Sequence, residues 1–553
     1  MKKRLFAALI AAAATTGIAA QDAVFTYFKY SGNDQRFCRT LDAQREFYNP
    51  ILAGFYPDPS VCRKGDTYYL VNSSFAFFPG VPLFESKDLV NWQQTGHVLD
   101  RESQLKLAGQ PVSGGIFAPS ISYNDRNRTF YMITTNVGSG GNFYVKTKDP
   151  RQGWSDPIYL PKVRGIDPSF LFDGDGKAYI VHNAAVNGKA EYDGHCAIRL
   201  LEFSVSGDSI VGDPIEIVRG GTHVTERPIW IEGPHLYHVG KYYYLMCAEG
   251  GTGQQHSEVV FRARKPQGPW EECPQNPILT QRDLSEQRPD RVSSTGHADI
   301  IQDADGHWWA VFLGCRPYEG DMYNTGRETF LLPVTWKDGW PQILPKGTAV
   351  PAVVQKQKLA PAANTLTGNL TYTDRFSGSS LHPRWVFLRN APANAFTLSA
   401  DGLSLHPAKG SVRLREPLSA LFVRQQHTAF TAETELCFKP TDSRQLAGVT
   451  LFQTETHHFV FGKTILNGRP SLVVRRCEGA ETLIASCPLP DADAPLCLRV
   501  EADGRYYSFY YSTGADAPWQ TLAKGVDGAN ISTARAGGFT GAMIGLYATQ
   551  DNK

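Results

Sequence analysis

The stretch YPDPSVCRKGDTYYLVNSS, Tyr56 to Ser74, holds a proline-containing turn, a short strand, a polar tight turn and an aromatic-rich strand. The same order returns as FAPSISYNDRNRTFYMITT from Phe117, IDPSFLFDGDGKAYIVHN from Ile166, EGPHLYHVGKYYYLMCAEG from Glu232 and GHADIIQDADGHWWAVFLG from Gly296. Repeats spaced by roughly 50 to 65 residues, each with enough strand for a four-stranded sheet, predict a β-propeller rather than a stacked solenoid. Five copies predict five blades. Aligned on their turns, three copies place a carboxylate at one point, and Asp58, Asp167 and Glu232 are read as equivalent positions that converge on the propeller axis. Like charges gathered in a partly desolvated site drive at least one pKa upward, and carboxylates with divergent pKa values are what glycosidic-bond hydrolysis uses.

Working outward, residues 21–48 form a lead-in with aromatics (Phe25, Tyr27, Phe28, Tyr30) but no clear period, expected to pack across the propeller. The repeats occupy 49–345. Residues 346–372 are rich in Pro, Ala and polar types without alternation and read as a linker. Residues 373–553 carry alternating strands at short, turn-bounded intervals, which predicts a β-sandwich of concanavalin-like type whose last strand is held in the sheet. The whole chain is therefore expected to be all-β. At the start, Lys2, Lys3 and Arg4 precede an apolar stretch and then small residues before Gln21, so 1–20 reads as a secretory signal peptide. No lipid-attachment Cys follows it, and a periplasmic or secreted protein is expected.

A net charge of +1 and the absence of any Lys/Arg run leave no footprint for nucleic acid or an anionic membrane, and no later segment is apolar for long enough to insert in a bilayer. A neutral partner fits better. Aromatic residues make up 12% of the chain, which suits β structure and a sugar-binding surface alike. The ten cysteines form no Cys-x-x-Cys pair, which excludes a zinc knuckle, and several lie on apolar strands where a buried free thiol is the plain reading.

The ordered motifs YPDPS, SKDLVNW (Ser86 to Trp92), GIDPS, EGPH, GHAD (Gly296 to Asp299) and GRET (Gly326 to Thr329) resemble glycoside hydrolase family 43. DRFSG, PRWVFLR and GGFTGAMIGLYA in the second region resemble the sandwich that follows the propeller in its β-xylosidase and α-L-arabinofuranosidase branch. The resemblance implies Asp58 as general base, Glu232 as general acid and Asp167 as the carboxylate that raises the pKa of Glu232 and orients it. It also implies Arg327 as a substrate-gripping guanidinium, and His297 either beneath the sugar or beside a cation. Phe75 looks like an aromatic wall of the sugar pocket. Phe117 stands where relatives often carry Trp, and Phe539 lies in a sandwich loop that resembles one closing over the pocket.

No cofactor is required by this reading, although an axial calcium or sodium ion is compatible with it. The implied activity is exo-acting and inverting, releasing terminal α-L-arabinofuranosyl and/or β-D-xylosyl residues from hemicellulose oligosaccharides such as arabinoxylan, xylan or xyloglucan fragments. Inversion predicts a base-to-acid separation of roughly 6.5 to 9.5 Å. A main β-D-xylosidase activity, a retaining hydrolase and a non-catalytic carbohydrate-binding propeller are the alternatives.

Overall fold

The computed structural model describes residues 21–361, 366–514 and 517–551. The expected signal peptide, 1–20, lies outside the described residues. The fold is all-β: among the described residues the one α-helix is a single turn, Thr533–Ala536, and no helix is long and apolar enough to cross a membrane.

Each copy of the repeat opens an antiparallel sheet that runs outward in chain order. The first sheet holds Ser60–Lys64, Thr67–Val71, Gly80–Ser86 and Gln93–Leu99; the second begins with Ile116–Asn124, the third with Ile166–Phe172, the fourth with Glu232–Val239 and the fifth with Ser293–Gln302. The polar turns after these opening strands use glycines in the left-handed region, such as Gly65 (φ 61°) and Gly240 (φ 62°), where a side chain would be strained. Opening strands of successive sheets lie side by side, and that of the fifth returns to that of the first, so the five sheets form a closed ring. Separate apolar clusters fill the wedges between neighbours: Val71, Ile121 and Met132 between the first two sheets, Tyr131, Ile180 and Phe203 between the second and third, and Val181, Leu245 and Val259 between the third and fourth. A larger cluster joins the fourth, fifth and first sheets. Closure is stapled by Asn49, which donates from Nδ2 to the Leu331 carbonyl (2.9 Å) and accepts the Leu331 N–H (3.0 Å).

The second region is a two-sheet sandwich. Six strands, in the order Ser419–Arg424, Met543–Thr549, Leu446–Thr454, His457–Leu466, Arg469–Glu478 and Ala480–Pro488, face an eight-stranded sheet across a core that includes Leu421, Val449, Phe461 and Leu546. The final strand, Met543–Thr549, is internal to its sheet, as the sequence led us to expect.

Two expectations are corrected here. The first part of the lead-in does not pack across the ring, although Phe47 further on joins the ring's core: Ala23–Gly32 is a central strand of the eight-stranded sheet, paired with Ala429–Cys437 on one side and with Gly402–Leu405 and Thr371–Asp374 on the other. Its Phe25, Phe28 and Tyr30 are fully buried in the sandwich core. The 346–372 segment is likewise structured in part, with Val353–Gln355 pairing with Glu46–Tyr48 and Thr371–Asp374 joining the sandwich.

The two regions are tied by a buried ion network. Arg316 grips Glu328 through Nε (2.6 Å) and Nη2 (2.8 Å), reaches Asp34 through Nη1 (2.7 Å) and donates to the Gln426 carbonyl (3.0 Å). Asp34 also accepts from Thr428 Oγ1 (2.8 Å) and the Ala429 N–H (2.6 Å), so the ring, the lead-in and the sandwich share one carboxylate. Removing one member of a buried pair leaves the other charge without compensation. Asp34→Ala is expected to cost about 3 to 5 kcal/mol, read as a lowered midpoint in denaturant melts; a midpoint matching the parent would show the network to be dispensable.

Candidate active site

Ser60, Ser120, Ser169, His235 and Asp299 occupy matching places, each opposite an apolar residue of the second strand: Val71, Ile133, Val181, Met246 and Val311. Two residues earlier, every copy has a residue in the left-handed region: Asp58 (φ 52°), Ala118 (φ 33°), Asp167 (φ 55°), Gly233 (φ 54°) and His297 (φ 52°). In the second to fifth sheets the register shifts around this residue, the mark of a β-bulge that redirects a side chain. Asp58, Asp167 and His297 are therefore structural equivalents. Glu232 is not: it sits one position before Gly233 and corresponds to Pro57, Phe117, Ile166 and Gly296. The sequence alignment of three equivalent acids is corrected to two equivalent acids and a third offset by one residue.

Left-handed backbone costs a non-glycine residue roughly 1 to 3 kcal/mol and persists where the surroundings over-determine it. At Asp58 the surroundings are explicit. Its Oδ1 accepts from Arg327 Nη1 (2.7 Å) and its Oδ2 from Ser73 Oγ (2.6 Å), while Ser73 Oγ accepts the Ala118 N–H (2.7 Å). Burial alone would raise the Asp58 pKa, but the Arg327 guanidinium and the Ser73 hydrogen bond outweigh it and hold the carboxyl below its ordinary value. Arg327 is buried and its Nε has no hydrogen-bond partner among the described residues. Glu328, next to Arg327 in sequence, is bonded by Arg316 instead.

Asp167 and Glu232 lack such a partner. Burial first, and then the charge of Asp58, push Asp167 upward; burial first, and then the charges of Asp167 and Asp58, push Glu232 upward. Asp167 Oδ2 accepts the Gly233 N–H (3.1 Å), which favours its anion, so of the two Glu232 keeps its proton to the higher pH. Gly233 can carry no side chain, since a Cβ would lie 2.9 Å from His297 Nε2. His297 Nδ1 stands 3.7 Å from Asp58 Oδ1, and burial lowers its pKa to about 4, so the ring is neutral at neutral pH.

The predicted aromatics gather over Arg327. Phe75 stacks on Phe539 (centroids 6.0 Å apart, planes at 20°) and meets Phe117 edge-on (5.0 Å), and Phe117 meets Phe539 edge-on (5.7 Å). The Arg327 guanidinium lies 5.8 Å from the Phe75 ring and 5.7 Å from that of Phe539. Phe75 is fixed by mutual backbone hydrogen bonds with Ile116 (3.0 and 3.1 Å). Phe539 is placed by backbone contact between the two regions. A Cβ on Gly326 would come 2.8 Å from Gly541 Cα, the Ala542 N–H donates to the Asn324 carbonyl (2.7 Å), and the Phe539 N–H donates to Ser113 Oγ (2.9 Å). The sandwich loop thus forms part of the wall of the acid cluster.

Sequence reasoning missed Ser73 and the buried support under His297. Glu258 accepts the Ala298 N–H (2.9 Å), and His256 bonds the Ser294 carbonyl (2.9 Å). Ser73 lies in NSS after the second strand, opposite a DPS turn. That placement is its only sequence signal.

For an axial calcium or sodium ion the donors do not fit. Asp299 Oδ2 accepts from Ser60 Oγ (2.8 Å) and the Val61 N–H (2.9 Å), its Oδ1 accepts from Tyr237 OH (2.7 Å), and Asp58 is committed to Arg327 and Ser73. Among the described residues no group of three or more His, Cys, Asp or Glu is placed to hold a metal ion.

Residues 47–341 match the family model described as Glycosyl hydrolases family 43, and residues 373–553 match that of the Beta xylosidase C-terminal Concanavalin A-like domain. A xylosidase/arabinosidase of Butyrivibrio fibrisolvens is 38% identical over 517 residues, covering 91% of this chain and 96% of the relative. A non-reducing end alpha-L-arabinofuranosidase of Bacteroides ovatus is 36% identical over 529 residues, covering 92% of each. The crystal structure of a GH43_12 protein retrieved from capybara gut metagenome superposes with a TM-score of 0.87 at 42% identity, covering 96% of this chain and all of that one. With the family model matched across the ring of sheets, and relatives of this likeness aligned along nearly the whole chain, the protein belongs to glycosyl hydrolase family 43.

Proposed function

We propose that the five sheets are the blades of a five-bladed propeller whose axial acids hydrolyse glycosidic bonds by single displacement, releasing one non-reducing terminal pentosyl residue at a time. The observation that carries this reading is the unequal partnering of the three acids: Arg327 and Ser73 bond Asp58, which favours its anion, while Asp167 and Glu232 have no paired cation among the described residues, which favours a protonated Glu232. In the proposed step Asp58 takes a proton from water, the water oxygen bonds to the anomeric carbon, and the bond to the leaving oxygen breaks. Glu232 gives that oxygen its proton. The anomeric configuration inverts, and exchange with solvent resets both carboxyls. Asp167 keeps Glu232 protonated near neutral pH, Arg327 turns its guanidinium toward the sugar hydroxyls, and His297, neutral, lines the floor. A purely binding site would gain nothing from three mutually repelling acids.

The sugar is assigned as α-L-arabinofuranosyl, with β-D-xylosyl as the second substrate; the names of the relatives pair the two. Exo action is assigned to the part-exposed rings of Phe117 and Phe539, backed by the buried Phe75, as the closed end of the pocket. Fragments of arabinoxylan, xylan or xyloglucan are the proposed substrates. Export by the 1–20 leader would place the enzyme in the periplasm or outside the cell, where such fragments occur.

Three measurements test this. Aryl α-L-arabinofuranoside and aryl β-D-xylopyranoside are assayed side by side: the parent is expected to cleave one or both, and Asp58→Asn and Glu232→Gln each to lose at least about a hundredfold in turnover. Near-parental rates in either variant would remove the mechanism, and a first-formed sugar of retained configuration would replace inversion by double displacement. Asp167→Asn takes a negative neighbour from Glu232, so Glu232 loses its proton at lower pH and the basic limb of kcat/KM moves to lower pH. An unmoved limb would limit Asp167 to positioning. Phe539→Ala removes aromatic contact worth about 0.5 to 1.5 kcal/mol and is expected to lower kcat/KM about three- to tenfold. An unaffected variant would show that the loop does not touch substrate. This substitution is a cleaner test than cutting the chain after the linker, because such a cut strips Ala23–Gly32 of its partners on both sides.

A further inference from the structure

Trp230 stands two residues before Glu232 and is among the most exposed large apolar residues of the protein, with 46% of its surface open. Its backbone is left-handed (φ 50°), a rare state for a bulky side chain. Several hydrogen bonds hold it there. The Trp230 N–H donates to the Gly194 carbonyl (2.8 Å), the Gly250 N–H to the Ile229 carbonyl (3.0 Å), Tyr192 OH to the Pro228 carbonyl (2.8 Å) and Asn183 Nδ2 to the Ile231 carbonyl (2.6 Å). Ile231, between Trp230 and Glu232, is buried in the wedge between the third and fourth sheets, which turns its two neighbours out of the core.

The indole has a fitted seat. A Cβ on Gly251 would lie 2.7 Å from Trp230 Cε3, and one on Gly194 would lie 3.2 Å from Nε1. Two loops therefore forgo a side chain to let the ring lie against them, while much of it stays in solvent. Strained, over-determined backbone around an exposed aromatic is the pattern of a functional surface, because folding gains little from either feature.

The position says which surface. Gly194 and Gly251 lie in the loops after the second strands of the third and fourth sheets, Ala178–Ala185 and Tyr242–Glu249. In an antiparallel sheet such loops emerge at the end where the opening strand begins, the end that carries the three acids. The open rings of the aromatic wall, Phe117 of the second sheet and Phe539 of the sandwich loop, are backed by Phe75, which is buried behind them at the end of the first sheet. A terminal sugar against that wall, with its glycosidic oxygen toward Glu232, must send the rest of the chain out over the rim where Trp230 sits. Two residues span at most about 7 Å, the scale of one sugar ring.

We propose that Trp230 is the platform on which the sugar of the leaving side stacks, so that it selects an oligosaccharide leaving group without contacting the sugar that is released. The proposal rests on the glycosidase reading above. Its test compares parent, Trp230→Ala and Trp230→Phe on two substrates of whichever pentose the parent releases: the pentosyl-substituted xylo-oligosaccharide, and the methyl pentoside, whose leaving group has no ring. Inhibition by the free pentose, which needs only the terminal pocket, is measured alongside.

Trp230→Ala is expected to lose about tenfold or more in kcat/KM on the oligosaccharide, chiefly through KM, with the methyl pentoside and the pentose Ki within about twofold of the parent. Trp230→Phe should recover most of the loss. An unchanged oligosaccharide rate, or equal losses on both substrates with a weakened pentose Ki, would overturn the proposal, the second result assigning Trp230 to the shape of the pocket. A parent that cleaves neither aryl nor methyl pentosides would overturn the glycosidase reading itself, and the platform with it.

Discussion

The left-handed residue at the head of each opening strand is the constraint on which the rest of the molecule depends. It recurs at Asp58, Ala118, Asp167, Gly233 and His297, and in the second to fifth sheets the ladder slips around it. This geometry lets a residue at the head of each sheet leave the sheet face, while the residue two places on holds the ladder. A ring built this way gathers five chosen positions without a dedicated loop. Only some of the five need chemistry. Ala118 and Gly233 fill their places with little or nothing, and Gly233 does so because the His297 ring takes the space.

Charge is then distributed unequally over a nearly symmetric frame. Among the described residues a single guanidinium, Arg327, hydrogen-bonds Asp58, and the other two acids receive one backbone N–H between them. Symmetric solvation would leave three similar carboxyls competing for protons. One buried cation placed off-centre holds the Asp58 pKa down while burial and mutual charge push the other two up, and divergent pKa values are the condition for acid and base chemistry at one pH. Arg327 is free to play this part because Glu328, its neighbour in sequence, is engaged by Arg316. The buried network that joins the two regions therefore also keeps the axial arginine available.

Much of this was legible in the residues. The repeat, its proline turns and its aromatic second strands mark five sheets, and the acids, Arg327, His297 and the three phenylalanines do meet at one place. What escaped has physical reasons. Glu232 was aligned with Asp58 and Asp167 because carboxylates were matched to carboxylates; the bulge that offsets Glu232 by one residue is a backbone event, and Gly233 gives no side chain to betray it. Ala23–Gly32 did not read as a strand because a register shift between Phe25 and Tyr27 breaks its alternation. Its partners also lie hundreds of residues away. Ser73 and Glu258 act through isolated hydrogen bonds to groups outside their own strands, and such bonds carry no periodic signal.

The placement of the lead-in explains why the two regions act as one unit. Ala23–Gly32 enters the sandwich first, the chain then builds the ring, and the partners of that strand are supplied only after the ring is complete. The ring is thus an insertion within a sheet, and the sandwich cannot be finished without bringing the ends of the ring together. That closure fixes the loop bearing Phe539 against Asn324 and Gly326, immediately before Arg327. The two glycines meeting there, Gly326 and Gly541, allow backbones to touch, so the aromatic wall and the guanidinium beneath it are positioned by the same contact. Any shift of the sandwich against the ring would move Phe539 and Arg327 relative to Asp58, which makes the geometry of the acid cluster a property of the whole chain.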